Sequence, residues 1–153
     1  MDIETDIDRR CMARAYELAK QAEDEGEVPV GAVLMKDNEI ISETFNQPIS
    51  RSDPTAHAEI LALRDAAKKI GNYRLIDTTL YVTLEPCPMC AGAIIHARVK
   101  RVVFACHDPK SGAAGSVYNI LNDNSLNHTV QLSQGLMQEE ASLLLKNFFR
   151  KRR

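Results

Sequence analysis

Four side chains stand at spacings that suit a metal-dependent reaction: His57 and Glu59 in one short motif, and Cys87 and Cys90 in another. Imidazole and thiolate groups are ready ligands for Zn²⁺, and a carboxylate beside the metal can accept and release a proton. Each motif stands at the start of a predicted helix, where partial positive charge favours thiolate over thiol at both cysteines. Three residues apart in a first turn, both sulfur atoms can face one side, and His57 from a neighbouring helix would complete three ligands.

The number of ligands distinguishes a structural metal from a catalytic one. A structural zinc is enclosed by four protein ligands, whereas a catalytic zinc keeps three and leaves one position open for water. The open-site interpretation gives Glu59 a role, because two residues after a ligand it can face that water without binding the metal. A structural zinc or a redox pair of cysteines is the alternative. The other cysteines and histidines are scattered rather than set at tight motif spacing: Cys11, His96, Cys106, His107 and His128.

The order of predicted elements places both motifs in an α/β domain. The second half alternates strands with helices, which implies parallel neighbours in a sheet covered on both faces, and the first half contains a hairpin. We therefore expect a three-layer α/β/α sandwich around a mixed five-stranded sheet. Polar loops are expected over 47–53 and 107–116, and Asp53 is a candidate cap for the second helix. The expected helices cover 8–25, 54–69, 88–96, 117–121 and 137–149, and the expected strands cover 28–35, 39–46, 79–84, 101–105 and 129–132.

Composition and charge exclude several classes of protein. Of the 153 residues, 44% are hydrophobic and 26% are charged, which excludes collagen, a coiled coil and a disordered chain. No apolar run approaches the ~18 residues of a membrane span and no secretory signal is visible, so we expect a cytoplasmic protein with reduced cysteines and no membrane partner. The net charge of −2 favours no partner, but residues 146–153 hold five cations and no carboxylate. Such an end can meet a polyanion, or it is simply a solvated tail.

The two motifs together match a known signature. His-x-Glu followed by Pro-Cys-x-x-Cys, in this order, is typical of zinc-dependent nucleobase deaminases. Beyond that signature, the chain resembles bacterial tRNA wobble-adenosine deaminases over essentially its whole length. Because the zinc motif is shared with cytidine and guanine deaminases, the segments outside it carry the narrower resemblance. The whole resemblance is carried by seven segments, of which 53–59 and 79–93 contain the zinc motif. The other five are 27–33, 72–77, 101–104, 111–116 and 148–153.

The resemblance implies a cytidine-deaminase-like fold, a homodimer, and a single deaminase domain over residues 1–153 with one zinc ion per subunit. It also implies hydrolysis of adenosine to inosine at the wobble position of a tRNA anticodon, with release of ammonia. Zinc would be bound by His57, Cys87 and Cys90, with Glu59 as the proton shuttle. Substrate contacts would come from Asn46, Pro48, Asp108 and Phe149. From the sequence alone, Asn46 and Asp108 could also be ordinary turn residues, because Asn and Asp favour turns.

The RNA partner that the resemblance implies is an anticodon stem-loop. A base inside a stack cannot reach the metal, so the target nucleotide has to be splayed out of its loop. No separate RNA-binding module is visible, so the catalytic domain itself would hold the stem-loop. The phosphate contacts would then come from the cationic end: Arg150, Lys151, Arg152 and Arg153. Two other functions stay open, namely a small-molecule deaminase acting on guanine, cytosine or a nucleoside, and a zinc-stabilised RNA-binding module.

Overall fold

The computed structural model describes residues 5–126 and 128–152. The helices and strands in this part of the chain follow one another as α1 (Asp6–Asp24), β1 (Gly31–Lys36), β2 (Glu39–Phe45), α2 (Pro48–Arg51), α3 (Ala58–Ile70), β3 (Thr78–Leu84), α4 (Pro88–Ala97), β4 (Arg101–Cys106), β5 (Gln131–Gln134) and α5 (Gln138–Lys151). None of the helices in the described residues has both the length and the apolar composition needed to cross a membrane.

The five strands form one mixed sheet in the order β2-β1-β3-β4-β5. β1 pairs antiparallel with both β2 and β3, whereas β3, β4 and β5 run parallel to one another. Because β2 and β3 are both antiparallel to β1, the strands β2, β3, β4 and β5 all point the same way. Their C-terminal ends therefore meet along one side of the sheet, which we call the carboxyl edge.

Helices cover both faces of the sheet and make three layers. α1 packs on β1, β2 and β3 and also touches α5, which packs on β4 and β3. α3 packs on β2 and β1 and touches α4, on the other side. The core lies between these layers and is built largely from apolar strand residues such as Leu34, Leu80 and Phe104, each no more than 2% exposed. The predicted three-layer sandwich with a mixed five-stranded sheet is confirmed.

The predicted elements differ most from the structure at three places, while several other predicted ends differ by one to three residues. The loop expected over 47–53 contains the short helix α2, which begins with Pro48 at its first position. The next helix begins at Ala58 and not at residue 54, because the Asp53 side chain is engaged by the backbone N–H and hydroxyl of Thr55 in a turn. The helix expected over 117–121 is absent from the described residues. That segment folds back instead, through a bridge between Ala114 and Asn119.

A buried ion pair ties α1 to the sheet. The Asp8 carboxylate is buried and accepts hydrogen bonds from the Arg101 guanidinium at 2.9 and 3.0 Å and from the Tyr81 hydroxyl at 2.6 Å. Burial alone would raise the pKa of Asp8, but the hydrogen bonds from Arg101 and Tyr81 and the guanidinium charge outweigh burial and lower that pKa. Since Arg101 begins β4, the ion pair lies far from the carboxyl edge.

We expect the substitution Asp8→Asn to lower the free energy of unfolding by about 3 kcal/mol, because it removes the buried carboxylate charge that faces the partly buried Arg101 guanidinium at 2.9 and 3.0 Å. A depressed pKa means that Asp8 stabilises the folded state at neutral pH and that this contribution is lost as the pH falls below about 4. Urea unfolding between about pH 3 and 7 measures both effects. The control is Asp6→Asn, at an exposed carboxylate in the same helical turn, and an Asp8 variant as stable as this control would contradict the expectation.

Candidate metal centre and active site

Several predicted site residues lie just beyond the carboxyl edge. Asn46 directly follows β2, Cys87 follows β3 and Asp108 follows β4, and these three strands point the same way. The helices α3 and α4 begin at this edge, so their N-termini bring His57 and Cys87 to the same region. Sheets of this kind bind ligands in the crevice outside the carboxyl ends of their strands. The topology therefore gathers residues that are far apart in the sequence.

His57, Cys87 and Cys90 form a compact cluster of potential metal ligands. The His57 Nδ1 atom lies 3.6 Å from the Cys87 Sγ atom and 3.5 Å from the Cys90 Sγ atom, and all three ligand atoms lie within 4.8 Å of one another. Tetrahedral zinc with Zn–N and Zn–S bonds of ~2.0 and ~2.3 Å holds nitrogen and sulfur ligands about 3.6 Å apart. The donor set and its spacing therefore fit zinc. Among the described residues, no fourth Cys, His, Asp or Glu joins the cluster.

Three of the remaining cysteines and histidines are engaged elsewhere in the fold. The buried Cys106 thiol donates to a strand carbonyl, His128 contacts a backbone carbonyl at 2.7 Å, and His107 lies 3.1 Å from the buried Glu85 carboxylate. All four cysteines are free, so Cys87 and Cys90 do not form a disulfide. The part of the chain that the structure describes thus offers three side-chain ligands at this cluster, one fewer than the four that enclose a structural zinc.

Hydrogen bonds within the cluster set the protonation of its two cysteines. His57 and Cys87 are the N-cap residues of α3 and α4, and Cys90 lies in the first turn of α4. Hydrogen bonds from the Cys90 thiol and from His57 lower the pKa of Cys87 to about 4, although burial opposes them. The same hydrogen bond to Cys87, together with burial, raises the pKa of Cys90. The directions of these two pKa shifts favour a thiolate at Cys87 and a thiol at Cys90, whose proton a bound cation would displace.

Glu59 lies beside the cluster without belonging to it. Its side chain, in the first turn of α3, is buried, and the charges of Cys87 and His57 and the Cys90 thiol all act on its pKa. Burial raises the pKa of Glu59 to about 7, and the charge of Cys87 acts in the same direction, whereas a backbone N–H and His57 act against it. A carboxyl group with a pKa near neutrality can both accept and donate a proton at neutral pH.

Asn46 and Asp108 each use one side-chain atom within the chain. Asn46 Oδ1 accepts a hydrogen bond from the Ala58 N–H at 2.7 Å, which ties the end of β2 to the start of α3. Asp108 Oδ1 accepts hydrogen bonds from the backbone N–H groups of Lys110 and Ser111 at 3.0 and 3.2 Å. Within the described residues, Asn46 Nδ2 and Asp108 Oδ2 have no protein partner. One polar atom on each side chain is therefore available to a ligand.

Comparisons with known proteins agree with this geometry. A family model described as MafB19-like deaminase matches residues 7–153. A tRNA-specific adenosine deaminase from Haemophilus influenzae is 54% identical over 152 residues, which cover 99% of this chain and 88% of the relative. The chain belongs to the family of tRNA-specific adenosine deaminases. Its sequence resemblance to that family is confirmed.

Solved structures show that this deaminase has a known fold. One comes from biochemical and structural studies of A-to-I editing by tRNA:A34 deaminases at the wobble position of transfer RNA. It matches with a TM-score of 0.86 at 39% identity and covers 89% of this chain and 99% of that one. A guanine deaminase from Nitrosomonas europaea matches with a TM-score of 0.78 at 23% identity, over 97% of this chain and 86% of that one. The second likeness shows the fold alone, so the fold by itself does not separate an RNA substrate from a free base.

Two buried glutamates hold neighbouring segments in place near the carboxyl edge of the deaminase. The sequence did not predict a role for either side chain. The Glu27 carboxylate accepts hydrogen bonds from the backbone N–H groups of Ile49 and Ser50 at 3.1 and 2.8 Å and so holds α2, which carries Pro48. Glu85 holds the loop after β4 in a similar way. A lone carboxylate beside an apolar strand indicates that each glutamate is buried, but it does not indicate which groups each one binds.

The C-terminal end of the deaminase continues α5. Phe148 is buried, whereas Phe149 is 48% exposed and meets the Phe148 ring edge to face, so one adjacent aromatic residue lies in the core and the other outside it. The Arg152 guanidinium lies 3.6 Å from the centre of the Phe148 ring and donates to its carbonyl oxygen. Contacts among the described residues do not join Phe149 to the metal cluster. The other tail residues are Arg150 and Lys151, both exposed, and Arg153, which lies outside the described residues.

Proposed function

We propose that this deaminase hydrolyses the wobble adenosine of a tRNA anticodon to inosine and releases ammonia. The observation that carries the proposal is the pairing of an open three-ligand cluster with a buried acid, Glu59. The chain is also 54% identical to a protein named tRNA-specific adenosine deaminase, over almost the full length of both. An acid without the cluster, or a closed cluster without the acid, would lack one half of the required chemistry.

His57, Cys87 and Cys90 would hold one zinc ion per subunit. One imidazole nitrogen and two sulfur atoms at this spacing match the ligands and bond lengths that zinc requires. When bound, zinc supplies a water whose pKa is lowered towards about 7, which makes that water a nucleophile at neutral pH.

Glu59 would move the protons of the reaction. Its carboxylate accepts a proton from the attacking water and delivers it to a ring nitrogen of adenine. It then accepts the second proton from the new hydroxyl group on C6, which becomes the carbonyl, and passes that proton to the departing amino group. The water oxygen bonds to C6 of the base, the bond between C6 and the exocyclic nitrogen breaks, and the nitrogen leaves as ammonia. Burial in the first turn of α3 holds the carboxyl group at one place beside the cluster.

The nucleotide would be held at the carboxyl edge, outside the metal cluster. Asn46 Nδ2 is suited to hydrogen-bond the splayed base or its ribose, and Asp108 Oδ2 is suited to accept from a ribose hydroxyl. Pro48, in the segment that Glu27 holds, and the half-exposed ring of Phe149 would line the nucleotide pocket. An anticodon loop suits such recognition because its bases are single-stranded and can be splayed out.

Turnover of a synthetic anticodon stem-loop, compared with free adenosine, guanine and cytidine, tests the substrate class. We expect inosine from the stem-loop and no turnover of the free compounds, because they offer no phosphates to the cationic end of the chain. Turnover of guanine or cytidine without turnover of the stem-loop would establish the small-molecule deaminase instead.

The cationic end would bind RNA phosphates. Replacing Arg150, Lys151, Arg152 and Arg153 by glutamine is expected to weaken stem-loop affinity. The slope of log affinity against log salt concentration should also flatten, by about 0.7–0.9 for each phosphate that is no longer neutralised. The rate for bound substrate should change less. Binding measured over a salt series, with exposed Lys68 replaced by glutamine as the control, tests this role, and an unchanged affinity and slope would exclude it.

We infer that the protein works as a homodimer and that α4 contributes to the interface. Its ten residues include no Asp, Glu, Lys or Arg, and Met89 is 38% exposed although it is apolar. A helix that is apolar on all sides is usually covered on all sides. A Cβ atom added at Gly92 meets no atom within 4 Å, so this chain leaves open space over the helix.

Gly92→Arg is expected to convert the dimer to monomers, because its side chain fits the isolated subunit but would intrude on a partner packed against α4. Light scattering combined with size-exclusion chromatography measures the mass. The control is Gly71→Arg, which adds the same side chain at another open position, although with some backbone strain. A Gly92 variant that keeps the dimer mass would place the interface elsewhere.

A cytoplasmic location is part of the same proposal. Its proposed substrate, tRNA, is made and used there, and a site that depends on two unoxidised cysteines suits a reducing compartment. Cell fractionation tests this location by measuring whether the protein is recovered in the same fraction as tRNA.

A further inference from the structure

Glu85 stands at a junction between the metal cluster and the proposed nucleotide contacts. It directly follows β3 and precedes the ligand Cys87 by two residues. Its side chain is fully buried, and its carboxylate contacts the segment 107–116, which we call the β4 loop. That loop carries Asp108, one of the residues proposed to contact the ribose.

The carboxylate of Glu85 accepts hydrogen bonds from both ends of the β4 loop. Oε1 accepts from the Asp108 N–H at 3.0 Å, faces His107 Nδ1 at 3.1 Å and receives the Ser116 hydroxyl. Oε2 accepts from the N–H groups of Ala114 and Ser116 at 2.9 and 3.2 Å. A buried carboxylate requires such compensation, and here nearly all of it comes from one loop.

The loop also closes tightly over this carboxylate. A Cβ atom added at Gly112 would lie 2.3 Å from the Glu85 Cδ atom, so only glycine allows the backbone to approach this closely. Two backbone hydrogen bonds reinforce the contact, from the Glu85 N–H to the Cys106 carbonyl at 2.9 Å and from the Ala113 N–H to the Pro86 carbonyl at 2.8 Å. The loop is therefore fastened to the same chain segment that continues into the metal ligands.

We propose that Glu85 is a positioning residue, whose buried carboxylate fixes the β4 loop and thereby sets Asp108 at a defined place relative to the metal cluster. The proposal deepens the proposed function and rests on it for the role of Asp108. Glu85 itself does not touch substrate in this proposal. It acts because its backbone leads to Cys87 while its side chain holds the N–H of Asp108.

The test compares kinetics and amide exchange of zinc-loaded enzyme variants. Glu85→Gln keeps the shape but turns an NH₂ group, which donates, towards backbone groups that also donate. We expect KM for the anticodon stem-loop to rise about tenfold or more while kcat changes much less, because loop placement mainly affects nucleotide binding. The amides of Ala114 and Ser116 should exchange faster, with the amides of the β3–β4 ladder unchanged.

Two further variants keep the test decisive if Glu85→Gln folds poorly. Gly112→Ala places a methyl group against the same carboxylate from the loop side, and should raise KM in the same way. Asp8→Asn is the matched control, since it alters an equally buried carboxylate that bonds to Tyr81 and Arg101, away from the carboxyl edge. It should lower the melting temperature and leave KM unchanged.

Each outcome has a defined meaning. An unchanged KM with unchanged exchange of the loop amides would overturn the positioning role, and so would an equal rise of KM in the Asp8 control. Amide exchange is measured without substrate. If the unmodified enzyme failed to deaminate the stem-loop, the proposed function would fail while faster exchange in Glu85→Gln would still establish that Glu85 holds the loop.

Discussion

Glu59→Ala is expected to reduce deamination of the anticodon stem-loop by about 10³-fold or more while zinc stays bound. Glu59 is buried beside the cluster and lies outside its three ligand atoms, so its removal takes away proton transfer and leaves the metal site intact. The measurements are single-turnover inosine formation and zinc content per subunit. Affinity for the stem-loop should change by less than the rate, because the carboxyl group acts in the transition state.

The control for this experiment is Glu139→Ala, which removes an exposed carboxylate from the first turn of α5. It should retain the rate of the unmodified enzyme. The result also separates an enzyme from a zinc-stabilised RNA-binding module, which has no use for a proton shuttle. A Glu59 variant that lost zinc along with activity would instead show that Glu59 is a ligand, and full activity would exclude it from catalysis.

His57→Ala is expected to have the second largest effect, with loss of both zinc and turnover. Two sulfur atoms would remain of the three-ligand set, and a site with one ligand fewer holds zinc much less tightly. Zinc content after dialysis and inosine formation at saturating stem-loop measure the two losses. Added zinc should restore little activity, because the missing nitrogen also fixed the geometry of the cluster.

The matched histidine control is His128→Ala. His128 contacts the Val99 carbonyl and lies outside the cluster, so its loss should leave zinc content and turnover near those of the unmodified enzyme. Full zinc occupancy in His57→Ala would contradict the ligand assignment. Equal loss in both histidine variants would indicate a general effect of destabilisation.

The fold was predictable where local patterns are strong. Alternating apolar residues marked β3, and Pro88 marked the start of α4, because these signals depend on backbone geometry within a few residues. The start of α3 was misplaced, since the turn that Asp53 makes with Thr55 competes with a helix cap built from the same side chain. α2 escaped prediction because a distant residue, Glu27, satisfies its N-terminal N–H groups.

The site was predictable to a similar extent. The sequence predicts that His57, Cys87 and Cys90 lie together, because each stands in the first turn of a helix, and the structure brings them together. Their role as zinc ligands, and that of Glu59 as the proton shuttle, stay predictions. The role of the Glu85 side chain was not predictable, because its partners are backbone N–H groups more than twenty residues later in the sequence. No side-chain pattern records such contacts.

The most direct measurement is inosine formation at the wobble position of a synthetic anticodon hairpin, with and without prior removal of metal by a chelator. We predict conversion of that adenosine alone by the zinc-loaded protein, loss of conversion after chelation, and recovery when about one equivalent of zinc is returned. Conversion that survives complete metal removal, or zinc-loaded protein that leaves the wobble adenosine unchanged, would contradict the account.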